Sequence, residues 1–145
     1  MSPRRIFLMP KWRIFACTVS AMFVSAARAP SEVAQRARAA LEAMLSGAGP
    51  GITAHELYAN ALAALGPHPL HAVLGGSVGH RIGLSPNEGG EIRHEARHAL
   101  RPGEVYTFHI GAYDAKAGGA LTSAMIAVTA KGAEILHRSP EPLHP

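Results

Sequence analysis

The sequence predicts an α+β fold in which two helices lie on one face of an antiparallel sheet. A chain of 145 residues, 48% hydrophobic and 17% charged, is long enough for one domain with its own core. Residues 30–66 show helical periodicity, whereas the residues beyond Pro69 form short β-branched and aromatic runs separated by glycines. Helices followed by a run of strands are typical of the α+β class.

Residues 1–29 admit two interpretations. One is a degenerate pair of buried strands, Arg5–Met9 and Arg13–Ser25, rich in Ile, Phe and Val. The other is a secretory signal peptide, with a basic start, an apolar stretch from Ile14 to Ala27 and a small-residue cleavage motif. That stretch is too short to span a bilayer, so we expect no membrane span. We favour the strands.

Charge is distributed unevenly along the chain. The formal net charge is +4, but residues 1–30 hold five basic residues and no acidic one, and the rest hold nine basic and ten acidic ones. A neutral body offers no basic patch, so we expect no nucleic-acid partner. The single cysteine excludes a disulfide framework. We expect an apolar, basic leader at 1–29, a domain at 30–138, a flexible tail at 139–145, and a cytoplasmic location, or export if the leader is a signal peptide.

Two helices are predicted between the leader and Pro67. In the first, Ser31 serves as N-cap, glycines from Gly47 onward end the run, and apolar residues recur on one face. These residues are Val33, Ala37, Ala40, Leu41, Met44 and Leu45. The second helix begins at Thr53, which forms a capping box with Glu56, and ends at Gly66-Pro67.

Strands are predicted after the two helices, separated by glycine-containing breaks. The predicted strands are Leu70–Leu74, Val105–Ala112, Leu121–Thr129 and Glu134–His137. The segment from Glu91 to Arg101, bounded by glycine-containing breaks, is available as a helix.

That segment contains an H-E-x-x-H pattern, formed by His94, Glu95 and His98. On a helix this spacing puts two imidazoles on one face to hold zinc, and the glutamate acts as general base. The segment has almost no apolar face, however, so we favour a charged, solvent-exposed connector. A zinc protease site remains the alternative.

Five segments resemble, in order, the motifs of the pita-bread metallopeptidases, which comprise methionine aminopeptidase, Xaa-Pro aminopeptidase, prolidase and creatinase. These segments are Cys17–Phe23, Gly51–Leu57, Gly79–Leu84, Leu100–His109 and Ser123–Gly132. Gly79–Leu84 resembles the family's GHGIG-L, and Leu100–His109 resembles L-x-PG-M-x-x-T-I-E. The resemblance implies the C-terminal portion of a pita-bread fold, with the two helices on a curved antiparallel sheet.

The resemblance also implies a site for two divalent metal ions, Mn²⁺, Co²⁺ or Zn²⁺, held by two Asp, one His and two Glu. Carried onto this sequence, only the histidine ligand remains, as His80. His109 and Ser123 stand at the two Glu positions, and Thr18 stands at an Asp position. The family's substrate-side histidine corresponds to Asn87.

The loss of these carboxylates sets the functional expectation. The only aspartate in the chain is Asp114, far from either Asp position, and neutral side chains cannot offset the repulsion between two divalent ions. We therefore predict a family member without its dimetal centre, acting as a non-catalytic peptide- or protein-binding module with no cofactor. We expect His80, His109 and Asn87 to line one open cleft.

Two alternatives stay open. The first is an active metal-dependent peptidase, either with one metal on His80 and His109 or with zinc on the H-E-x-x-H pattern. Imidazole pairs suit Zn²⁺, Ni²⁺ or Cu²⁺. The second is a truncated or degenerate fragment without activity. If the protein self-associates, we expect a homodimer.

Overall fold

The computed structural model describes residues 32–67, 76–116 and 118–138 with their side chains, and the strands of the first 23 residues by their backbone. Its elements are β1 (Arg4–Leu8), β2 (Lys11–Trp12), β3 (Phe15–Ala16), β4 (Val19–Phe23), α1 (Glu32–Gly47), α2 (Ala54–Leu65), β5 (Gly79–Ile82), β6 (Val105–Asp114), β7 (Gly118–Thr129) and β8 (Gly132–Arg138). Two helices and a four-stranded antiparallel sheet confirm the predicted α+β class. The tail at 139–145 lies outside the described residues.

The first 23 residues contain two pairs of antiparallel strands. β1 pairs with β4, with Arg4 opposite Phe23 and Leu8 opposite Val19, and β2 pairs with β3. Where the sequence predicted one strand over Arg13–Ser25, the structure has β3 and β4. β4 also lies against β7 of the larger sheet.

Helix α1 presents its predicted apolar face to the core. Its buried residues are Val33, Ala37, Ala40, Leu41 and Met44, and Leu45 packs against them partly buried. The predicted N-cap, Ser31, lies outside the described residues. Within the described ranges, no helix is both long enough and apolar enough to cross a bilayer.

Helix α2 begins with the predicted capping box. The Thr53 N–H donates to Glu56 Oε2 at 2.8 Å, and the Glu56 N–H donates to Thr53 Oγ1 at 3.2 Å. These bonds satisfy two backbone donors that a helix start leaves without partners. The Thr53 hydroxyl also donates to Glu56 Oε2 at 2.7 Å, and this bond, together with that from the Thr53 N–H, holds the pKa of the Glu56 carboxyl below its ordinary value. The helix ends at Gly66, whose φ of 72° suits glycine, and the Gly66 N–H bonds to the carbonyl of Leu62.

The larger sheet has the order β5-β6-β7-β8, with every neighbouring pair antiparallel. The last three strands confirm the predicted strands Val105–Ala112, Leu121–Thr129 and Glu134–His137 with longer bounds. The predicted strand Leu70–Leu74 lies outside the described residues. The sequence did not predict β5, because four residues bounded by glycines carry little strand pattern.

The two faces of this sheet have different chemistry. The face toward the helices carries buried apolar residues, namely Tyr106, Phe108, Ile110 and Ala112 on β6 and Ala124, Ile126 and Val128 on β7, which join the helices in one core cluster. Because side chains alternate along a strand, the residues between them point to the opposite face. The candidate site lies on that opposite face.

Strand β8 is the least buried strand of the sheet. Its side chains Ile135 and Leu136 are 47% and 48% exposed. The guanidinium of Arg138, in the last position of the strand, donates to both carboxylate oxygens of Glu42 on α1, at 2.7 and 3.1 Å. This ion pair links the last strand to the first helix.

Candidate functional site

Four polar residues are buried together on the sheet face that points away from the helices. They are His80 on β5, Thr107 and His109 on β6, and Ser123 on β7. His80 stands opposite Thr107, and His109 stands opposite Ser123. Facing residues of paired strands place their side chains on the same side, so the fold brings three predicted site residues together: His80, His109 and Ser123.

The imidazoles of His80 and His109 are neighbours, with ring centroids 5.1 Å apart and planes inclined by 54°. His80 Nδ1 lies 3.0 Å from the carbonyl oxygen of Arg81. A carbonyl oxygen only accepts hydrogen bonds, so Nδ1 carries the proton, and in the neutral ring Nε2 keeps its lone pair.

His109 is buried, at 6% exposure, like its neighbour His80 at 3%. Its Nε2 is buried and has no hydrogen-bond partner within the described part of the chain. Burial, with a smaller contribution from neighbouring His80, lowers the pKa of His109 to about 4. The ring is therefore neutral at physiological pH.

Asn87 does not join these residues in an open cleft. Its side chain is exposed, and its Oδ1 accepts a hydrogen bond from the Gly89 N–H at 2.8 Å. The amide thus stabilises a turn of the loop after β5, while His80 and His109 are buried. We expected these three residues to line one open cleft, but in the structure the two histidines are buried and Asn87 is exposed. Thr18 lies outside the described residues.

Beside the site, Arg81 and Glu104 form an ion pair that the sequence did not predict. Arg81 Nη1 lies 3.0 Å from Glu104 Oε1. Partial burial on its own would raise the pKa of Glu104, but hydrogen bonds from the Arg101 N–H, Arg81 and the Tyr106 hydroxyl outweigh it and lower the pKa. The same surroundings raise the pKa of Tyr106, mainly through burial and next through the carboxylate of Glu104.

We expect the Arg81–Glu104 pair to contribute about 0.5–1 kcal/mol to the free energy of unfolding, because the arginine side chain is 41% exposed. A double-mutant cycle of Arg81→Met and Glu104→Gln, followed by urea denaturation, measures this coupling. The Arg93–Glu91 pair, also at 3.0 Å but with the carboxylate more exposed, is the control and should show weaker coupling. Additive single effects at Arg81 and Glu104 would contradict the assignment.

The H-E-x-x-H segment is not a helix. No helix lies between Gly90 and Arg101 in the structure, because the backbone there pairs with other segments. The Ile92 N–H donates to the Gly79 carbonyl, and the Leu100 N–H donates to the Ile52 carbonyl. Ile92 and Leu100 are both buried, which anchors the segment at its two ends. The helix that the zinc-protease alternative requires between Glu91 and Arg101 is therefore absent from the structure.

Its histidines consequently lack the helical spacing that zinc proteases use. The ring of His94 packs edge-on against His55 and Tyr58 of α2, with centroids 5.2 and 6.2 Å away. Glu95 and His98 instead line a shallow cavity of about 360 Å³ beside the segment. His94 is not among the residues that line it.

Comparisons with known proteins agree with this fold. A model of metallopeptidase family M24 matches residues 6–130. The chain belongs to metallopeptidase family M24. No curated protein matches the sequence.

Solved dipeptidase and prolidase structures superpose over nearly the whole chain. A dipeptidase from Pyrococcus horikoshii (18% identity, TM-score 0.82) and the dipeptidase PepE from Mycobacterium ulcerans (23%, 0.77) each cover 97% of this chain. A prolidase from Pyrococcus furiosus covers 96% at 24% identity, with a TM-score of 0.80. The chain covers only 40%, 39% and 42% of those three structures. It therefore spans about two fifths of their length, and identities of this size support the shared fold alone.

The residues present do not fit the pair of divalent ions that the M24 resemblance implies. Within residues 32–67, 76–116 and 118–138, no group of three or more His, Cys, Asp or Glu side chains is placed to hold a metal ion. The only aspartate, Asp114, lies at the end of β6, where its Oδ1 accepts a hydrogen bond from the Lys116 N–H. Two imidazoles and a hydroxyl cannot bridge and neutralise two divalent ions as carboxylates do.

Proposed function

We propose that this M24 chain is a non-catalytic domain that binds a peptide or protein segment and has lost the family's dimetal centre. The observation that carries the proposal is the facing pair His109 and Ser123 on β6 and β7. Both positions correspond to glutamates in the family motifs, and here they hold an imidazole and a hydroxyl. A metal-activated hydroxide needs ligands that this pair does not supply.

The ordered core supports a folded module over a degenerate fragment. The helices and sheet share one cluster of fully buried side chains, including Leu41, Leu57 and Phe108. The contact between Arg81 and Glu104 adds a second argument. Arg81 replaces the second glycine of GHGIG-L, Glu104 replaces the methionine of the PG-M strand, and the two new side chains bind each other. The fold thus accommodates both side chains.

The named relatives support a peptide as ligand, since they are two dipeptidases and a prolidase. Strand β8, last in the sheet order, exposes Ile135 and Leu136. An extended segment can add to such a strand through backbone hydrogen bonds, with apolar side chains supplying further contacts. We place the binding surface at β8.

Peptide hydrolysis tests the loss of catalysis. We expect no turnover of Xaa-Pro or Met-Xaa peptides with added Mn²⁺, Co²⁺ or Zn²⁺, measured by mass spectrometry of the products. Turnover that disappears in His80→Ala would instead identify a mono-metal peptidase. Turnover that disappears in Glu95→Gln, with the fold intact, would identify a zinc protease of the H-E-x-x-H segment.

Titration of isotope-labelled protein with proline-containing peptides tests the binding role. We expect amide resonance shifts concentrated on β8, and at least a several-fold weaker affinity in Ile135→Lys, which places a charge on the exposed apolar surface. Lys131→Ala, in the turn before β8, is the matched control and should bind like the parent protein. Shifts confined to residues far from β8, or no binding at millimolar peptide, would contradict the proposal.

A further inference from the structure

The sheet face that carries His80 and His109 also carries a thioether. Met125 stands opposite Thr107 on β7, two residues beyond Ser123, and is half-buried. It is therefore the diagonal neighbour of His109 across two paired strands. Diagonal neighbours lie about 7–8 Å apart, which long side chains can bridge. The face thus offers the imidazoles of His80 and His109 and the sulfur of Met125 at adjoining positions, and His137 of β8 stands opposite Met125.

The two imidazoles are spaced as two ligands of one metal ion would be. With metal–nitrogen bonds of about 2.0–2.1 Å and a near-tetrahedral angle, the centroids of two imidazoles on one ion lie about 5 Å apart. The rings of His80 and His109 are 5.1 Å apart. The bond from His80 Nδ1 to the Arg81 carbonyl fixes the ring and leaves Nε2 as the donor, which is how metal-binding histidines are usually oriented.

An atom of His109 without a hydrogen-bond partner among the described residues independently indicates that a ligand is missing. Its side chain is buried, and its Nε2 has no hydrogen-bond partner within the described part of the chain. A buried polar atom without a partner costs free energy, and native proteins usually satisfy such atoms with a partner, a water or an ion. A bound cation would satisfy this nitrogen.

We propose that His80, His109 and Met125 bind a single soft monovalent ion, Cu(I). Thioether and imidazole donors together select copper over the oxygen-preferring ions of the dimetal centre. All three donors are neutral, and among the described residues no carboxylate joins the two histidines to balance a divalent charge. Burying a single positive charge costs less than burying two. The inference goes beyond the peptide-binding role and does not depend on it.

Competition titration with bicinchoninate under anaerobic, reducing conditions tests the proposal. The background is Cys17→Ser, because the only thiol of the chain would itself bind Cu(I). We expect one Cu(I) per chain, and an affinity for Zn²⁺ at least tenfold weaker. Zn²⁺ binding as tight as Cu(I) binding would overturn the choice of a soft ion.

Variants assign the donors. His80→Ala and His109→Ala should each weaken Cu(I) binding by about tenfold or more, and Met125→Leu, which keeps the side-chain volume, by several-fold. His98→Ala, at an exposed histidine outside the site, is the control and should bind like the parent. Unchanged binding in either His80→Ala or His109→Ala would overturn the site, and unchanged binding in Met125→Leu would remove its sulfur from it.

X-ray absorption on the copper-loaded Cys17→Ser protein gives a readout that does not depend on substituting the proposed donors. We expect two nitrogen ligands with imidazole outer-shell scattering and one sulfur ligand. A spectrum with no sulfur or with oxygen ligands only would contradict the proposed donor set. Because no peptide or substrate is present, this result is read separately from the hydrolysis and peptide titrations.

Discussion

Gly79→Ala is expected to lower the free energy of unfolding by about 3 kcal/mol, since overpacking against rigid neighbours costs this much. A Cβ at this position would lie 2.7 Å from the carbonyl oxygen of Thr107, 3.0 Å from Phe108 Cδ1 and 3.2 Å from Ile92 Cδ1. The first contact is with backbone, which cannot move without breaking the pairing of β5 with β6. Urea denaturation of the purified variant measures the loss.

Gly119→Ala is the matched control for this experiment. Gly119 also lies in a paired strand, but a Cβ there would meet its nearest atoms at 3.5 and 3.6 Å, which is ordinary contact. We expect its free energy of unfolding to change by less than about 0.5 kcal/mol. A Gly79→Ala protein as stable as Gly119→Ala would show that β5 and β6 do not approach as closely as the structure has them. Gly79 precedes His80, so the close approach also positions that imidazole.

Acidification from pH 7 to pH 4 is expected to destabilise the protein through His109, by up to about 3 kcal/mol. In the unfolded chain this imidazole takes up a proton below its ordinary pKa of 6.5, whereas in the folded protein its pKa is about 4. The unfolded state therefore binds more protons between these values, and stability falls as the pH falls. Burial is the main cause, and the nearby ring of His80 adds to it.

The difference between the parent protein and His109→Gln isolates this contribution, since glutamine does not titrate. Thermal unfolding of both proteins between pH 7.5 and pH 4.5 should show a shallower loss of stability in the variant. His98→Gln, at an exposed position, should keep the slope of the parent protein. Equal slopes for the parent protein and His109→Gln would mean that the imidazole is not buried in its neutral form.

Local signals in the sequence predicted the helices well, and long-range pairing explains the failures. The capping box of Thr53 and Glu56 depends on residues three apart, so sequence spacing is sufficient to identify it. The segment from Glu91 to Arg101 has a helical composition, but its backbone donors and acceptors are used by β5 and by the chain before α2. No local pattern reveals those partners, and tertiary pairing overrides helix propensity.

The candidate site was predictable to the same extent. The motif order placed His80, His109 and Ser123 at ligand positions, and the strand register brings them together. The motif order did not reveal that the two imidazoles are buried, because the exposure of a side chain depends on how the whole chain folds. The partnership of Arg81 and Glu104 was missed, since two opposite charges distant in sequence carry no sign of contact.

The ion pair between Arg138 and Glu42 has a consequence for motion within the sheet. Both side chains are about half exposed, so the pair stabilises the end of β8 only weakly. Burial decreases from β6 through β7 to β8, so the amide hydrogens of β8 should exchange with solvent through small local openings, and those of β6 only on global unfolding. Each such opening bares the hydrogen-bonding edge of β7. The backbone at this end of the sheet is therefore the part that an added segment can reach most readily.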